Sequence, residues 1–459
     1  MIDKITENNN SNKFWMLFHV ILGLITTYSK WYLIIWVYFI IMFSLNRIVS
    51  SLLLRGTIHH FIPLIIYVCS FEVLGRILKS YPYIPWEISK YVITISSIVL
   101  ILIGGIKKPH ILGFVILMLI IPGILIDKSN MVITEDVIFS TFGIICLAFL
   151  VIIIGGLKVN FLYLNSIVKL IWLSSVSLLI NVMVKTPDLD SLTFSLNVDF
   201  SATGGFGSNQ VTTVIGIGMF LSFYAWMNKL CFSGNHTVDG LFIGLFAYQG
   251  FLSFSRGGMI IGILAILVYY LMFRRSKSFQ AITKLRGLRP LFFFSFAVAI
   301  LLLTYGLIEN LSDGNLSLRY LGETESTINQ AREKTINIVT TGRYDLLISD
   351  LKLWIDNFVF GVGSGASGYL KVDNFRGIAT HTEFSRLLCE HGLFGLVIII
   401  LLLWQLVKTY QISRHNINGA LLFVLCFIAI GTSMHSAMRT FVTPLFFALS
   451  SLIPLENEN

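Results

Sequence analysis

Apolar runs of about 16 to 23 residues recur along this chain from Phe14 to Pro454. Each is long enough, or nearly so, to cross a hydrocarbon core about 30 Å thick as an α-helix. Inside a bilayer every backbone N–H and C=O must be satisfied within the protein, which a helix does by itself. Composition agrees, since 55% of the 459 residues are hydrophobic and only 12% are charged. The sequence therefore predicts an all-α polytopic integral membrane protein. Helices are expected over 14–29, 31–46, 57–78, 91–106, 110–126, 137–156, 162–184, 209–227, 239–255, 257–273, 290–308, 391–410, 417–437 and 440–454. With the short first pair counted or not, that makes about 12–14 transmembrane helices.

The formal net charge of +9 would suggest nucleic acid in a soluble chain, but here the basic residues sort by membrane side and no nucleic-acid partner is expected. The tail MIDKITENNNSNKF contains Asp3 and Glu7 and no small-residue cleavage site follows the first apolar run, so it reads as a cytoplasmic tail without a signal peptide. Placing the basic connector RRSKSFQAITKLRGLRP (274–290) in the cytoplasm puts Arg47, Arg55, Lys107, Lys108, Lys158, Lys229, Lys408 and Arg414 there too, with both termini inside. Alternation then exports DKSNMVITED (127–136), the loop 186–209 and the longest polar segment, Glu309 to Glu390.

Three parts follow: eleven membrane helices in 1–308, a large extracytoplasmic loop in 309–390, and the C-terminal membrane helices in 391–459. A loop of about 80 residues without its own apolar core is usually functional, so chemistry is expected on the outer face. Within it TESTINQAREKTINIV and GRYDLLISDLKLWIDN have helical spacing of apolar residues and predict short helices lying against the membrane. Cys69, Cys146, Cys231, Cys389 and Cys426 are scattered without CxxC spacing, so they read as small core residues.

Charges at membrane depth cost about 2.5 to 3.5 kcal/mol each on insertion scales and so mark function. Arg256, in FLSFSRGGMIIG, lies where two helices reverse, beside two glycines that allow close approach of a ligand. It is the first anion-binding candidate, although an arginine snorkelling to headgroups would have the same sequence. Arg343 opens TGRYDLLISDLKLWIDNFVFGVGSGASG, which ends in Gly361, Gly363 and Gly365. Those glycines could present amides to a phosphate, or simply form a flexible turn. His381 precedes a membrane helix, and imidazole can take a proton from a sugar hydroxyl. His391, in an HG pair before an apolar run, looks like a helix start. Glu383, Arg386 and Glu390 are spaced to form a ladder on one helix face, which reads as scaffold. No HExxH or Gly-x-Ser-x-Gly occurs, and the only DxD pair, Asp188 and Asp190, sits in an outer loop.

Taken in order, GGFGSNQVTTVIGIG, SFSRGGM, TGRYDLLISDLKLW followed by GVGSG, and THTEFSRLLCEHGLFGL resemble the motifs of the O-antigen polymerase and ligase superfamily. The motif region covers roughly residues 200 to 400. The resemblance implies a metal-independent glycosyltransferase of GT-C type in the bacterial cytoplasmic (inner) membrane, without a cofactor, with its active site on the periplasmic side. Arg256 and Arg343 correspond to the family's arginines and His381 to its histidine, usually followed by Asn where this chain has Thr382. These three are the expected catalytic residues. Expected substrate contacts are Arg256, Arg343, Asn209, Gly363, Gly365, Glu383 and Arg386, with no metal ligand.

The expected function is a polymerase that moves a growing glycan from undecaprenyl diphosphate to the terminal sugar of a fresh lipid-linked repeat unit, with inversion at C1. Oligosaccharide repeat units on undecaprenyl diphosphate are then donor and acceptor, membrane lipid surrounds the site, and a chain-length regulator protein is a further expected partner. One alternative is an O-antigen ligase delivering the glycan to lipid A core or protein in lipopolysaccharide biosynthesis. Another is a flippase, which buried charges such as Glu72 and Arg76 would suit.

Overall fold

A computed structural model describes residues 9–53, 61–102, 106, 108–188, 194, 196, 200–275, 288–371, 377–378, 380–414 and 417–455. The tail 1–8, Arg55, Lys107, the centre of the basic connector (276–287), Asp190 and the start of the predicted 57–78 helix lie outside them.

The apolar runs fold as helices: α1 (Asn9–Tyr28), α2 (Trp31–Leu53), α3 (Ile62–Ser70), α4 (Glu72–Ile77), α5 (Ile88–Leu102), α6 (Ile111–Leu125), α7 (Thr134–Ile154), α8 (Phe161–Lys185), α9 (Ser208–Asn228), α10 (His236–Leu252), α11 (Arg256–Arg275) and α12 (Leu288–Leu311). The protein is a polytopic all-α membrane protein. Among the described residues, seven helices are long and apolar enough to cross a membrane: α7, α8, α9, α11, α12, α18 (Glu383–Ser413) and α19 (Ile417–His435). Trp31–Asn46, α5 and α6 are shorter apolar helices. The expected 12–14 was a count of apolar runs, and not every run is one helix of spanning length. Predicted helix 57–78 is two pieces that meet at Phe71, and predicted helix 440–454 is the nine-residue α20 (Val442–Ser450).

Burial ranks the helices from centre to rim. In α9, 94% of the apolar window is enclosed by protein, against 22% in α12, so α9 is the axis of the bundle and α12 faces outward. Small residues make that centre possible. Gly216 of α9 lies against Gly258 and Gly262 of α11 with no room for a Cβ, so the two backbones touch. Polar groups also pair across helices in the core, as where Trp172 Nε1 of α8 donates to Ser222 Oγ of α9 at 2.8 Å. At the opposite end from the large polar segment, Lys158–Val159 (β1) pairs in parallel with Ile453–Pro454 (β2), tying the C-terminal residues to the α7–α8 connection.

The polar segment caps one end of the bundle with α13 (Asn315–Leu321), α14 (Glu325–Ile328), α15 (Ile336–Val339), α16 (Arg343–Asp356) and α17 (Ser367–Leu370). The helix expected along TESTINQAREKTINIV is two single turns instead. Gln330 takes a positive φ of 56°, and Thr335 starts a fresh turn by accepting the Ile338 amide at 3.4 Å. α18 begins at Glu383, where Thr382 Oγ1 accepts the Ser385 amide at 3.2 Å, and not at His391. The HG pair marks an internal kink: Gly392 has φ 58°, which a residue without Cβ adopts freely.

Candidate functional site

Helix amino ends converge at the polar end of the bundle. α9 starts at Ser208, α11 at Arg256, and Ser255 Oγ joins them by donating to Asn209 Oδ1 at 3.2 Å and lying 2.9 Å from Thr212 Oγ1. The first-turn amides of a helix have no intrahelical partner, and its dipole places partial positive charge there, so such ends favour an anion. The glycines after Arg256 permit the approach: a Cβ on Gly257 would strike the His435 ring, and one on Gly258 the Thr212 backbone. Gly258→Ala should therefore lower stability by about 1–3 kcal/mol through overpacking. Gly306→Ala, which would meet nothing within 4 Å, should leave it unchanged. Thermal unfolding of both variants in detergent decides.

Four arginines gather around these helix ends. Arg256 donates from Nη2 to the Val339 carbonyl at 2.9 Å, which ties α11 to the turn before Arg343. Arg343 is the first residue of α16, and its guanidinium has no hydrogen-bond partner among the described residues. Arg319 of α13 is buried and lies 3.5 Å from the Phe254 carbonyl through Nε. Burial, then the charges of Arg256 and Arg343, pulls its pKa down to about 10. Burial and then Arg256 lower Arg343. Burial and then Arg386 lower Arg439, with Glu383 opposing and Arg343 adding to the shift. None of the four forms a salt bridge with a carboxylate among the described residues. Positive charges crowded in partly buried surroundings favour an anionic guest.

His381 shares a cleft with Asn209, Gln210, His435, Ser436 and Arg439. Arg343 is within electrostatic reach of Arg256 and Arg319 on one side and of His435 and Arg439 on the other, so it links the arginine cluster to this cleft. The strand of chain that carries His381 is held from behind. Asp350 of α16 accepts Ser385 Oγ at 2.7 Å and Thr380 Oγ1 at 3.2 Å, and pairs with Lys371 at 2.9 Å. Lys371 in turn donates to Thr380 Oγ1 at 3.0 Å.

A second clamp holds the break between α19 and α20. Two buried ion pairs, Glu72–Arg76 and Glu383–Arg386, each give a carboxylate oxygen to a backbone amide of that break. Glu72 takes the Phe441 amide at 3.1 Å and Glu383 the Met438 amide at 3.0 Å. Arg76 also donates to the Arg439 carbonyl at 3.0 Å and to Gln210 Oε1 at 2.6 Å. Glu72 and Arg76 are thus struts for the cleft. The same geometry takes Glu383 out of the set of expected substrate contacts, whereas Arg386 also reaches the wall of a second cleft. Glu383 is fully enclosed, and Arg386 Nη2 lies 2.6 Å from both of its carboxylate oxygens. Glu383 and Arg386 form a buried scaffold pair.

Gly363 also differs from expectation, whereas Gly365 lies in the wall of the second cleft. Gly361, Gly363 and Gly365 all have positive φ, but the turn folds inward: Val362 N donates to Cys389 O at 2.8 Å, Gly363 N to Glu390 O at 3.1 Å and Ser364 N to Gly123 O at 2.7 Å. Those amides lock the turn onto α6 and α18 and are not free for a phosphate. The five cysteines are free, and among the described residues no group of three or more His, Cys, Asp or Glu is placed to hold a metal ion.

Of the sequence-derived candidates, then, Arg256 and Arg343 meet in the arginine cluster, and His381 and Asn209 line the adjoining cleft. Arg319, Arg439, His435, Asp350 and Lys371 were missed. The segment SMHSAMRTFV carried the signal that singled out Arg256, a charged break between two apolar runs.

Residues 241–400 match the family model described as O-antigen ligase. Over that stretch, less than half of the chain, the protein is similar to the O-antigen ligase family. This is consistent with the O-antigen polymerase and ligase superfamily, and it points to membrane glycosyltransferase activity of that type. The O-antigen ligase match includes Arg256, Arg319, Arg343 and His381, whereas Asn209, His435 and Arg439 reach the site from outside it. No curated protein and no solved structure matches the chain.

Proposed function

We propose that this protein is a polysaccharide polymerase acting at the outer leaflet, which transfers a growing glycan from undecaprenyl diphosphate to the terminal sugar of a lipid-linked repeat unit. The observation that carries this reading is the set of four arginines without carboxylate partners among the described residues, gathered at helix amino ends beside His381. A diphosphate is a good leaving group only when its developing charge is held, and guanidinium groups can do so bidentately. In the reaction the acceptor hydroxyl gives its proton to the His381 imidazole, its oxygen bonds to C1 of the donor sugar, and the C1–O bond to diphosphate breaks with the electron pair leaving on the phosphate oxygen. Attack from the face opposite the leaving group inverts C1. Arg256, Arg319, Arg343 and Arg439 stabilise the departing charge.

The description of the matching family favours a second reading, a ligase with the same donor and a different acceptor. Cells tell the two apart. Loss of a polymerase leaves single repeat units on the acceptor, and loss of a ligase strands long chains on the carrier. The chemistry is tested with purified protein and synthetic lipid-diphosphate repeat units, with and without EDTA. Extension should persist in chelator, and strict dependence on added Mg²⁺ or Mn²⁺ would overturn the arginine mechanism.

A further inference from the structure

A second cleft lies directly behind the one that holds His381. Its walls include Asp136 and Phe139 of α7, Ser367 and Tyr369 of α17, Thr380, and Glu390 of α18. Thr380 and His381 are consecutive, with Cα atoms about 3.8 Å apart, so the walls of the two clefts meet at this peptide. That partition is anchored: the Thr380 carbonyl accepts Arg439 Nη2 at 3.1 Å, and its hydroxyl is bonded to Lys371 and Asp350.

The two clefts differ in chemistry. Arginine and helix amino ends dominate the first, whereas the second presents Asp136, Glu390 and the Phe139 and Tyr369 rings, with the arginine in its wall, Arg386, already paired to Glu383. Tyr369 OH donates to Asp136 Oδ2 at 2.7 Å, which fixes the phenol ring at the cleft wall. Glu390 is 2% exposed; one of its oxygens accepts Ser367 Oγ at 2.7 Å, while Oε2 has no hydrogen-bond partner among the described residues. A buried carboxylate oxygen left open is costly unless a donor arrives to meet it. The cleft encloses about 180 Å³, against the roughly 10–15 Å³ that a water needs and the roughly 300–1,000 Å³ of a pocket that engulfs a drug-sized ligand. It suits one sugar-sized group.

Resting on the proposed transferase reading, we infer that the cleft between α7, α17 and α18 binds the terminal sugar of the acceptor through hydroxyl donors to Glu390 and contacts with Tyr369. A neutral, hydroxyl-rich ring supplies the donors that carboxylates need, and a diphosphate would be repelled by Asp136 and Glu390. The charge pattern thus sorts the two ends of the reaction. The lipid diphosphate goes to the arginines, the acceptor sugar to the carboxylates, and His381 stands on the partition between them.

The test uses full-length protein in detergent and two probes: undecaprenyl diphosphate, and the oligosaccharide released by mild acid from the carrier lipids of the cells that make this protein. Binding of each is measured by saturation-transfer NMR and calorimetry in the native protein, Tyr369→Ala, Glu390→Gln and Arg343→Ala. Tyr369 is at the cleft surface, so its variant keeps the test valid if Glu390→Gln misfolds. The saccharide should bind the native protein and Arg343→Ala equally and weaken tenfold or more in Tyr369→Ala, which should still bind undecaprenyl diphosphate. Absence of saccharide binding to the native protein, or unchanged binding in Tyr369→Ala, would overturn the acceptor cleft. Undecaprenyl diphosphate binding that survives Arg343→Ala undiminished would count against the donor reading alone.

Discussion

Arg343→Ala should lower glycan extension about 10²- to 10³-fold, the usual loss when one stabiliser of a transition-state charge is removed, while leaving the protein as stable as before or slightly more so. The two halves of this expectation have one origin. The Arg343 guanidinium has no hydrogen-bond partner among the described residues, and burial together with the neighbouring Arg256 charge already disfavours its cationic form. Removing it leaves no partner unsatisfied and relieves repulsion on Arg256 and Arg319. A residue kept for packing would behave in the opposite way, since its loss would cost stability and activity together. Arg343→Lys keeps the charge but not the planar pair of donors, so it should recover only part of the rate. Extension with lipid-diphosphate repeat units and thermal unfolding in detergent, measured on the same preparations, check both halves. Native-level extension by Arg343→Ala would remove the arginine from the mechanism.

How far the site could be read from the sequence depends on what kind of signal each residue leaves. Arg256 was legible because a charge between two apolar runs is expensive wherever it falls, and the adjacent glycines announced close packing before any partner was known. His381 was legible because the chain turns from polar to apolar just after it. Asp350 and Lys371 were not, since an acid in an amphipathic helix and a lysine in a polar loop are ordinary surface residues until tertiary structure brings them together behind Thr380. The glycine turn misled for the reverse reason. Positive φ at Gly361, Gly363 and Gly365 was foreseeable, but whether the freed amides face a ligand or the protein depends on α6 and α18, which lie far away in sequence. Helix positions followed closely from hydropathy, because the hydrocarbon core leaves the backbone few choices. Exceptions include Phe71, beside the buried Glu72–Arg76 pair, and Gly392, whose positive φ kinks the helix.

Glu383→Ala should be the most destabilising of the substitutions considered, at about 3–5 kcal/mol, the range for removing one member of a buried ion pair. It leaves Arg386, only 7% exposed, without its carboxylate, and it orphans the Met438 amide. The informative comparison is the double variant Glu383→Leu with Arg386→Met. Replacing both charges by apolar groups of similar volume commonly restores most of the stability, because neither ion then has to be kept out of water. Activity should not return with it. The Met438 amide still lacks its acceptor, and the break between α19 and α20, which carries His435 and Arg439 into the His381 cleft, has then lost one of its two carboxylate anchors and keeps Glu72. Unfolding temperature should therefore separate from extension rate: low in both for the single variant, recovered stability with lost extension for the double. If the double variant extends glycans at the native rate, the ion pair serves only to close the helix ends, and the position of Arg439 does not depend on it.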